Sequence, residues 1–274
     1  MHFNTPKLFI YAALPCEGKP VVEHFNLKKE LTVQPFSVYR NKDICLTVTG
    51  VGKSAMAAGV AYTQALFPPV QPFFMLNLGV AGHKEYALGE LYLMDKITDF
   101  DSQRSYYPSI FFSLPCLAGS IQTVSAPRLE YDSFQFFDME ASAFYETAAR
   151  FCSSEFIFCL KVVSDNQHSS VENIQPKQVS QWIERHVGVL DLLLSRIEAH
   201  QEMLVCQSEP QLFEYCVQRY HFTVNERQQL RSLLGHWNLL TDNQIIEIDT
   251  SSLKSAKELL RWLSLKIQAT DFYL

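Results

Sequence analysis

The segment at 137–144, FDMEASAF, places two carboxylates, Asp138 and Glu140, on either side of Met139. Charged side chains are seldom buried unless they are paired or take part in chemistry. In an extended chain these two carboxylates share a face, about 7 Å apart, whereas on a helix they point to opposite faces. The aromatic residues before them favour an extended segment, so the pattern predicts a strand-like entry into a helix.

Two more acids stand at the ends of apolar runs. Glu17 follows the run KLFIYAAL, and Asp165 closes the run EFIFCLKVVSD. Helix capping accounts for Asp138 without any chemistry, because helix N-termini favour carboxylates. The local sequence leaves the role of Glu140 open. Because α/β sheets bind ligands at the carboxyl ends of their strands, Glu17 and Asp165 are candidates for a site.

The apolar runs and helical patterns alternate along the first 200 residues. Strands are predicted at 7–14, 43–50, 72–82 (running into a glycine-rich loop), 89–99, 119–126 and 155–166, and helices at 54–67, 139–151 and 179–200. This alternation predicts an α/β sheet with helices on both faces.

From residue 201 onward the pattern is mostly helical. Thr223 and Glu226 have the spacing of a capping box before an apolar helix, and 252–267 has the period of a second amphipathic helix. The segment 244–248, QIIEI, is the one short strand that the pattern allows. We therefore predict a domain over 1–200 and a helical extension over 201–274.

Composition excludes several classes of protein. The chain of 274 residues is 47% hydrophobic and 19% charged, which excludes global disorder, and its net charge of −6 argues against nucleic-acid binding. The seven cysteines include no Cys-x-x-Cys pair, and the histidines share no ligand-like spacing, so free thiols, no metal and no cofactor are expected. No segment approaches the about 20 apolar residues of a membrane span, and no signal-peptide layout is present, so we expect a cytoplasmic protein.

The segment 50–55, GVGKSA, has the glycine spacing of nucleotide-binding turns but not their context. A dinucleotide-binding unit requires an acid about 20 residues further on, which is missing, and a phosphate loop would require glycine at Thr47. A tight turn from strand to helix explains Gly50. At Gly52 a close approach of the backbone to a small ligand also stays open.

Five stretches, taken in order, resemble the nucleoside phosphorylase / methylthioadenosine–adenosylhomocysteine nucleosidase family. They are AALPCE (12–17), TGVGK (49–53), NLGVAG with LGE (77–82 and 88–90), MEAS (139–142) and SDN (164–166). The resemblance covers about residues 7–195. It implies a three-layer α/β/α phosphorylase/hydrolase-like fold with a central mixed sheet, and cleavage of the N-glycosidic bond of a nucleoside.

The resemblance also implies a role for each acid. Glu140 would hold the hydroxyl groups of the sugar and stabilise the developing oxocarbenium ion. Asp165 would protonate the leaving purine, and Glu17 would direct water at the anomeric carbon, a division of labour like that of glycosidases. Met139 would pack against the sugar. The other substrate-binding candidates are Gly79, Val80, Asp138, Lys161 and Ser164.

The chain departs from the family pattern at three places. Lys161 stands where the nucleosidases usually carry arginine, which keeps the charge but loses the bidentate fork. Val80 stands in place of a serine. The segment 125–129 contains no phenylalanine to stack on the purine, so Tyr131 or Phe134 is expected to take that place.

Water is predicted as the acceptor, because a carboxylate at position 17 repels phosphate. A phosphorylase stays open through four cationic candidates, Lys19, Lys53, His83 and Lys84. A third alternative is a non-catalytic nucleoside-binding regulatory protein that uses 201–274 to contact a partner. By analogy with the family we expect a homo-oligomer, with a dimer favoured.

Overall fold

The computed structural model describes residues 6–67, 73–109, 114–128, 130–131, 133–205, 212–241, 246, 253 and 255–271. The chain divides into two units, Met1–Glu198 (unit 1) and Ala199–Leu274 (unit 2). Unit 1 contains the sheet and unit 2 is helical.

Unit 1 is built on one mixed sheet. Its strands are β1 (Leu8–Ala12), β2 (Lys28–Lys29), β3 (Ser37–Arg40), β4 (Ile44–Val48), β5 (Phe74–Gly82), β6 (Leu91–Asp99), β7 (Ser105–Tyr106), β8 (Leu117–Thr123), β9 (Phe136–Asp138) and β10 (Ile157–Asp165). The order is β10-β6-β8-β9-β5-β1-β4-β3-β2, with β7 paired to β6. Strands β1, β5 and β10 are buried along almost their whole length, as expected of apolar strands covered on both faces.

Part of the sheet closes on itself, because β10 pairs with β5 as well as with β6. The pairings that close this ring also set its register at the carboxyl ends of the strands. Gly82 pairs with Phe137 on β9 and with Asp165 on β10, and Thr123 pairs with Asp138. The ends of four strands, β5, β8, β9 and β10, therefore lie side by side.

The helices are α1 (Pro15–His24), α2 (Lys53–Leu66), α3 (Ala141–Ala148), α4 (Pro176–Glu184), α5 (Val187–Val205), α6 (Phe213–Arg219), α7 (Val224–Leu240) and α8 (Ala256–Asp271), with 3-10 turns at Ser154–Phe156 and Val171–Asn173. In unit 1, α1 packs against α4 and α2 packs against α3, and each pair also contacts strands of the sheet. The predicted mixed sheet with helices is thus confirmed.

The predicted strands correspond to β1, β4, β5, β6, β8 and β10. Two expectations were wrong. The segment 179–200 is not one helix, since α4 ends at Glu184 and α5 begins at Val187. In the turn between them, His186 Nε2 lies 2.7 Å from the Gly89 carbonyl oxygen, a contact with another segment that the helical period does not reveal. The glycine-rich loop predicted at the end of 72–82 is also wrong, because strand β5 continues through Gly82.

Unit 2 has an apolar core of its own. The core includes Phe213, Cys216, Tyr220, Phe222, Leu230, Leu234, Ile246, Ala256, Leu259, Leu260 and Leu263. The capping box before α7 is confirmed, because Thr223 Oγ1 accepts from the Glu226 amide and Glu226 Oε2 accepts from the Thr223 amide. The predicted strand at 244–248 lies outside the described residues, apart from Ile246, which is in no strand.

In the described part of the chain, no helix is both long and apolar enough to span a bilayer. The six cysteines located there are free thiols, and Cys206 lies outside those residues.

Candidate active site

A cavity of about 350 Å³ opens at the carboxyl ends of the strands in unit 1. Most of the predicted site residues line it, namely Glu17, Val80, Asp138, Met139, Glu140, Ser164 and Asp165. Two of them do not line the cavity, Gly79 and Lys161. The remaining wall is mostly apolar and includes Val124, Phe137, Val171, Ile174 and Val179.

Glu17 lies in the first turn of α1 and is 3% exposed. Its Oε2 accepts from the Leu14 amide at 2.8 Å, and its Oε1 accepts from the Val80 amide at 3.0 Å. Burial raises the pKa of this carboxyl, although Lys161 and these amides act in the opposite direction. Gly79 leaves room for these groups, because a Cβ there would lie 2.9 Å from Glu17 Oε1 and 3.3 Å from Lys161 Nζ.

Asp138 and Lys161 form an ion pair that is closed to solvent. Asp138 Oδ2 lies 2.9 Å from Lys161 Nζ, and the two side chains are 0% and 1% exposed. Asp138 also accepts from the Ala141 amide and from the Thr123 hydroxyl, both at 2.8 Å. Burial opposes the charge on Lys161, but Asp138 and the nearby Glu140 and Glu17 raise its pKa. Asp138 therefore binds the first amide of α3, although the N-cap residue is Glu140, and in addition pairs with a buried cation.

Glu140 is the residue before α3 and is 7% exposed. Its Oε1 accepts from the Gly52 amide at 2.7 Å. Burial and the neighbouring Asp138 carboxylate raise its pKa to about 7, although Lys161 and the Gly52 amide counteract them. This acid can therefore change its charge near neutral pH. The sequence left open a close approach of the Gly52 backbone to a small ligand, and in the structure its amide binds a carboxylate of this chain.

Asp165 is held by hydroxyl groups. Tyr131 donates to Oδ2 at 2.7 Å, and the neighbouring Ser164 donates to Oδ1 at 2.5 Å. The carboxylate lies directly over Gly82, where a Cβ would come within 2.4 Å of Oδ2. Burial and the contact with Asp165 raise the pKa of Tyr131, so its hydroxyl keeps its proton and acts as a donor.

Of the two aromatic residues expected to stack on a purine, only Tyr131 lines the cavity. Phe134 is 67% exposed, with Lys84 Nζ 4.6 Å from its ring centroid. Position 129, within the segment that corresponds to the family's stacking residue, lies outside the described residues. Arg128 also lines the cavity and stacks over Phe137 and Phe100.

The four cationic candidates for phosphate are not among the residues that line the cavity. Lys19 lies 3.8 Å from Glu23 on an exposed face, and Lys84 lies over Phe134. His83 accepts the Glu85 and Tyr86 amides at Nδ1, and burial lowers its pKa, so the ring is neutral. Lys53 is paired with two aspartates.

Sequence reasoning missed the contacts that orient the acids. Neither the Tyr131–Asp165 pair nor the Thr123–Asp138 pair has a local signal, because each joins two separate segments. Gly82 is the last residue of the NLGVAG motif, and a glycine at this position could have indicated that another side chain, here Asp165, lies close to the backbone. In the described residues, no group of three or more metal-ligating side chains is placed to hold a metal ion.

Comparisons with known proteins identify the fold. The structure of 5′-methylthioadenosine/S-adenosylhomocysteine nucleosidase from Helicobacter pylori with butyl-thio-DADMe-Immucillin-A matches with a TM-score of 0.55 and 15% identity, covering 70% of this chain and 99% of that chain. The apo 5′-methylthioadenosine nucleosidase of Arabidopsis thaliana matches with a TM-score of 0.54 and 15% identity, covering 70% and 96%. The chain contains the nucleosidase fold.

Futalosine hydrolase of Helicobacter pylori has the same nucleosidase fold, with a TM-score of 0.52 and 15% identity, covering 68% of this chain and 98% of that chain. No family model and no curated protein matches this sequence. The resemblance that the five motifs indicated is therefore confirmed at the level of the fold. At 15% identity the match extends to the fold and not to the substrate.

Proposed function

We propose that this protein is a nucleosidase that cleaves the N-glycosidic bond of a purine nucleoside of the adenosyl type, with water as the acceptor. The observation that carries the proposal is that Glu17, Glu140 and Asp165 line one cavity. Glycoside hydrolysis needs one acid for the leaving group and one base for water. A third carboxylate can stabilise the charge that develops on the sugar.

Glu140 binds the hydroxyl groups of the sugar. Its Oε1 is held by the Gly52 amide, which leaves Oε2 available to a ligand. The charge of an ionised Glu140 would stabilise the oxocarbenium ion, because an electrostatic interaction is strong in a site from which water is excluded. Met139 lines the cavity beside this acid and packs against the sugar.

Asp165 donates a proton to the purine ring nitrogen as the bond between the base and the anomeric carbon breaks. The electron pair of that bond goes to the base, which leaves neutral once it is protonated. Ser164 donates to one oxygen of Asp165 and so leaves the other oxygen for the base, once the base replaces the Tyr131 hydroxyl.

Glu17 accepts a proton from the attacking water, whose oxygen bonds to the anomeric carbon. The amides of Leu14 and Val80 hold its two oxygens in a fixed orientation. The products are the free base and the sugar with a hydroxyl at its anomeric carbon. Gly79 has no side chain and so leaves room for both the Glu17 carboxylate and the Lys161 ammonium, whose positive charge favours the ionised form of Glu17.

Water is the better supported acceptor. Phosphate needs cationic or amide donors, but the candidates Lys53 and His83 are engaged with other groups. The buried carboxyl of Glu17 also disfavours an anion beside it. Phosphorolysis is the alternative, and Arg128 on the cavity wall is the observation that favours it. A non-catalytic nucleoside-binding protein is the third reading.

The test is release of free base from methylthioadenosine, adenosylhomocysteine, adenosine, deoxyadenosine, inosine and a futalosine-like compound, each with and without phosphate. Release without phosphate supports the proposal and names the substrate. Release that requires phosphate replaces water by phosphate as acceptor. Binding without release, measured by calorimetry, would favour the regulatory reading.

A cytoplasmic location and a homo-oligomer, with a dimer favoured, are further expectations of the proposal. Light scattering coupled to size-exclusion chromatography measures the oligomeric state directly. A monomer that releases base would remove the dimer from the proposal and leave the chemistry unchanged.

A further inference from the structure

Lys53, the first residue of α2, forms ion pairs with two carboxylates. Its Nζ lies 2.9 Å from Asp99 Oδ2 and 2.6 Å from Asp101 Oδ2. Burial opposes the charge on Lys53, but hydrogen bonds to Asp101 and Asp99 raise its pKa. Hydrogen bonds from Lys53 and Ser102 outweigh burial and lower the pKa of Asp99. All three groups are therefore charged at neutral pH.

The stability of α2 does not explain this lysine. The positive end of the helix dipole lies at the N-terminus, where a cation is unfavourable. Helix α2 has no acid in its first turn and no side-chain cap. The two aspartates that compensate for the lysine come from the end of β6 and the turn after it. The cluster therefore joins separate segments.

Gly52, the residue before Lys53, holds Glu140 through its backbone amide. The Gly52 amide donates to Glu140 Oε1 at 2.7 Å. Gly52 has a φ of +98°, and a Cβ at this position would meet no atom within 4 Å. The space beside its Cα is therefore open, and its carbonyl accepts from the Met56 amide of α2 at 3.0 Å, so the position of the Gly52 amide depends on how the start of α2 is held.

The cluster also reaches α3 and the loop after β8. Ser142, in the first turn of α3, donates to Asp99 Oδ2 at 2.9 Å. Ser125 donates to Asp101 Oδ2 at 2.5 Å. Lys53 thereby connects the start of α2, the start of the helix that follows Glu140, and the segment that carries Arg128.

We propose that Lys53 is a positioning residue which, through Asp99 and Asp101, fixes the turn at Gly52 so that its amide orients the Glu140 carboxylate. The contribution to catalysis rests on the proposed role of Glu140 toward the sugar. We call the set Lys53, Asp99 and Asp101 the clamp. Its effect on the position of the Gly52 amide does not depend on the proposed function. Lys53 thus supports the structure of the site and does not bind phosphate.

The first measurement is hydrogen exchange of the Gly52 amide by NMR, which needs no substrate. Without the clamp we expect exchange about tenfold faster in Lys53→Met and in Asp99→Asn, as for loss of one hydrogen bond to a charged group. Lys53→Arg, which keeps both ion pairs, should restore protection. Asp101→Asn gives a milder variant, because Asp101 is 53% exposed and the buried Asp99 contacts remain.

The second measurement is titration of Glu140 by carboxyl NMR, with Glu140→Gln to assign its signal. The charged groups that influence Glu140 are Asp138 on β9, Lys161 on β10 and Glu17 on α1, in addition to the Gly52 amide. Loss of that amide raises the pKa of Glu140. Both Lys53→Met and Asp99→Asn should therefore raise it.

A purely electrostatic effect predicts opposite signs. Removing the positive charge of Lys53 would raise the pKa of Glu140, whereas removing the negative charge of Asp99 would lower it. Opposite shifts, or unchanged exchange at Gly52 in both variants, would overturn the clamp. These results do not depend on the reaction, so they are distinct from a failure of the proposed function.

In the active protein the clamp predicts that Lys53→Met lowers kcat/KM about tenfold or more, because misplacing a catalytic group has effects of that size. The activity of Lys53→Arg should recover together with Gly52 protection. If Lys53→Met instead changed only the response to added phosphate, with Gly52 still protected, Lys53 would be an anion ligand and the clamp would be wrong.

Discussion

Two sets of acids line the cavity, and they are held in different ways. Asp138 forms an ion pair with the buried ammonium of Lys161, the charge of Lys161 also acts on Glu17, and both acids accept hydrogen bonds from backbone amides. Asp165 is held instead by the hydroxyls of Ser164 and Tyr131. We refer to these as the charge-paired set and the hydroxyl-held set.

The two sets differ in whether the group that holds the acid can be replaced by a ligand. A buried charge that loses its partner is left uncompensated, so the charge-paired set tolerates little change. A neutral hydroxyl can be replaced by another donor, such as a group on a ligand, at small net free energy. The charge-paired set therefore fixes the structure of the site. In the hydroxyl-held set, a leaving base can take the place of the Tyr131 hydroxyl at Asp165.

The largest expected effect is on the charge-paired set. Lys161→Met should lower the free energy of unfolding by about 3–5 kcal/mol, because Asp138 and Glu17 stay buried without their cation. Urea denaturation measures the loss. Near pH 4 it should become smaller, since the carboxyls can then take up protons.

The matched control for that prediction is Ser164→Ala from the hydroxyl-held set, with an expected loss of about 1 kcal/mol. Similar losses in the two variants would remove the distinction between the sets.

The next effect is on catalysis. Asp165→Asn keeps the shape of the side chain and one oxygen that accepts a neighbouring hydroxyl, but it cannot donate a proton as an acid. We expect kcat to fall by about 10²–10⁴-fold, the range for a general acid. Steady-state base release measures it, with unfolding as the control. A kcat within tenfold of the parent would exclude Asp165 as the proton donor.

Glu140 connects stability to pH. Its pKa is about 7 in the folded protein, above the ordinary value of 4.5, because burial and Asp138 disfavour its charge. The stability that depends on the neutral form is present below about pH 4.5 and is lost as the pH rises through 7. Glu140→Gln, which stays neutral, should gain up to about 3 kcal/mol relative to the parent between pH 5 and pH 8.

Urea unfolding at both pH values tests this expectation. A difference between Glu140→Gln and the parent that does not change with pH would show that the carboxyl keeps its ordinary affinity for protons. Asp101→Asn, whose acid is mostly exposed, serves as the comparison for a carboxylate outside the cavity.

The smallest effect is expected at Tyr131. Tyr131→Phe removes one donor from Asp165, while Ser164 remains, so we expect a loss of about 1 kcal/mol in stability and less than about tenfold in kcat/KM. The measurements are urea denaturation and base release. A fall in kcat as large as that of Asp165→Asn would indicate that Tyr131 takes part in proton transfer.

Much of the fold could be predicted from the sequence. The runs that became β1, β4, β5 and β10 are strongly apolar, as strands buried on both faces must be, whereas β6 and β8 were predicted from more polar segments. The strands β2, β3 and β7 were missed because each has only two to four residues. The break at Arg185–His186 was missed because it depends on a contact with Gly89.

The family motifs predicted the acids of the candidate site and did not predict the groups that hold them. The family motifs pointed to Glu17, Glu140 and Asp165, and these do line one cavity. The groups that hold them, Tyr131 for Asp165 and the Gly52 amide for Glu140, come from segments 34 and 88 positions away. No local pattern encodes such a pairing.

The sequence by itself determined which segments are apolar enough to form a buried sheet and which acids stand at their ends. Only the tertiary structure decided how those acids are paired, because the register at Gly82 brings β9 and β10 together around one position. Burial there removes water from the carboxyls, so their charges depend on neighbours that are distant in the chain.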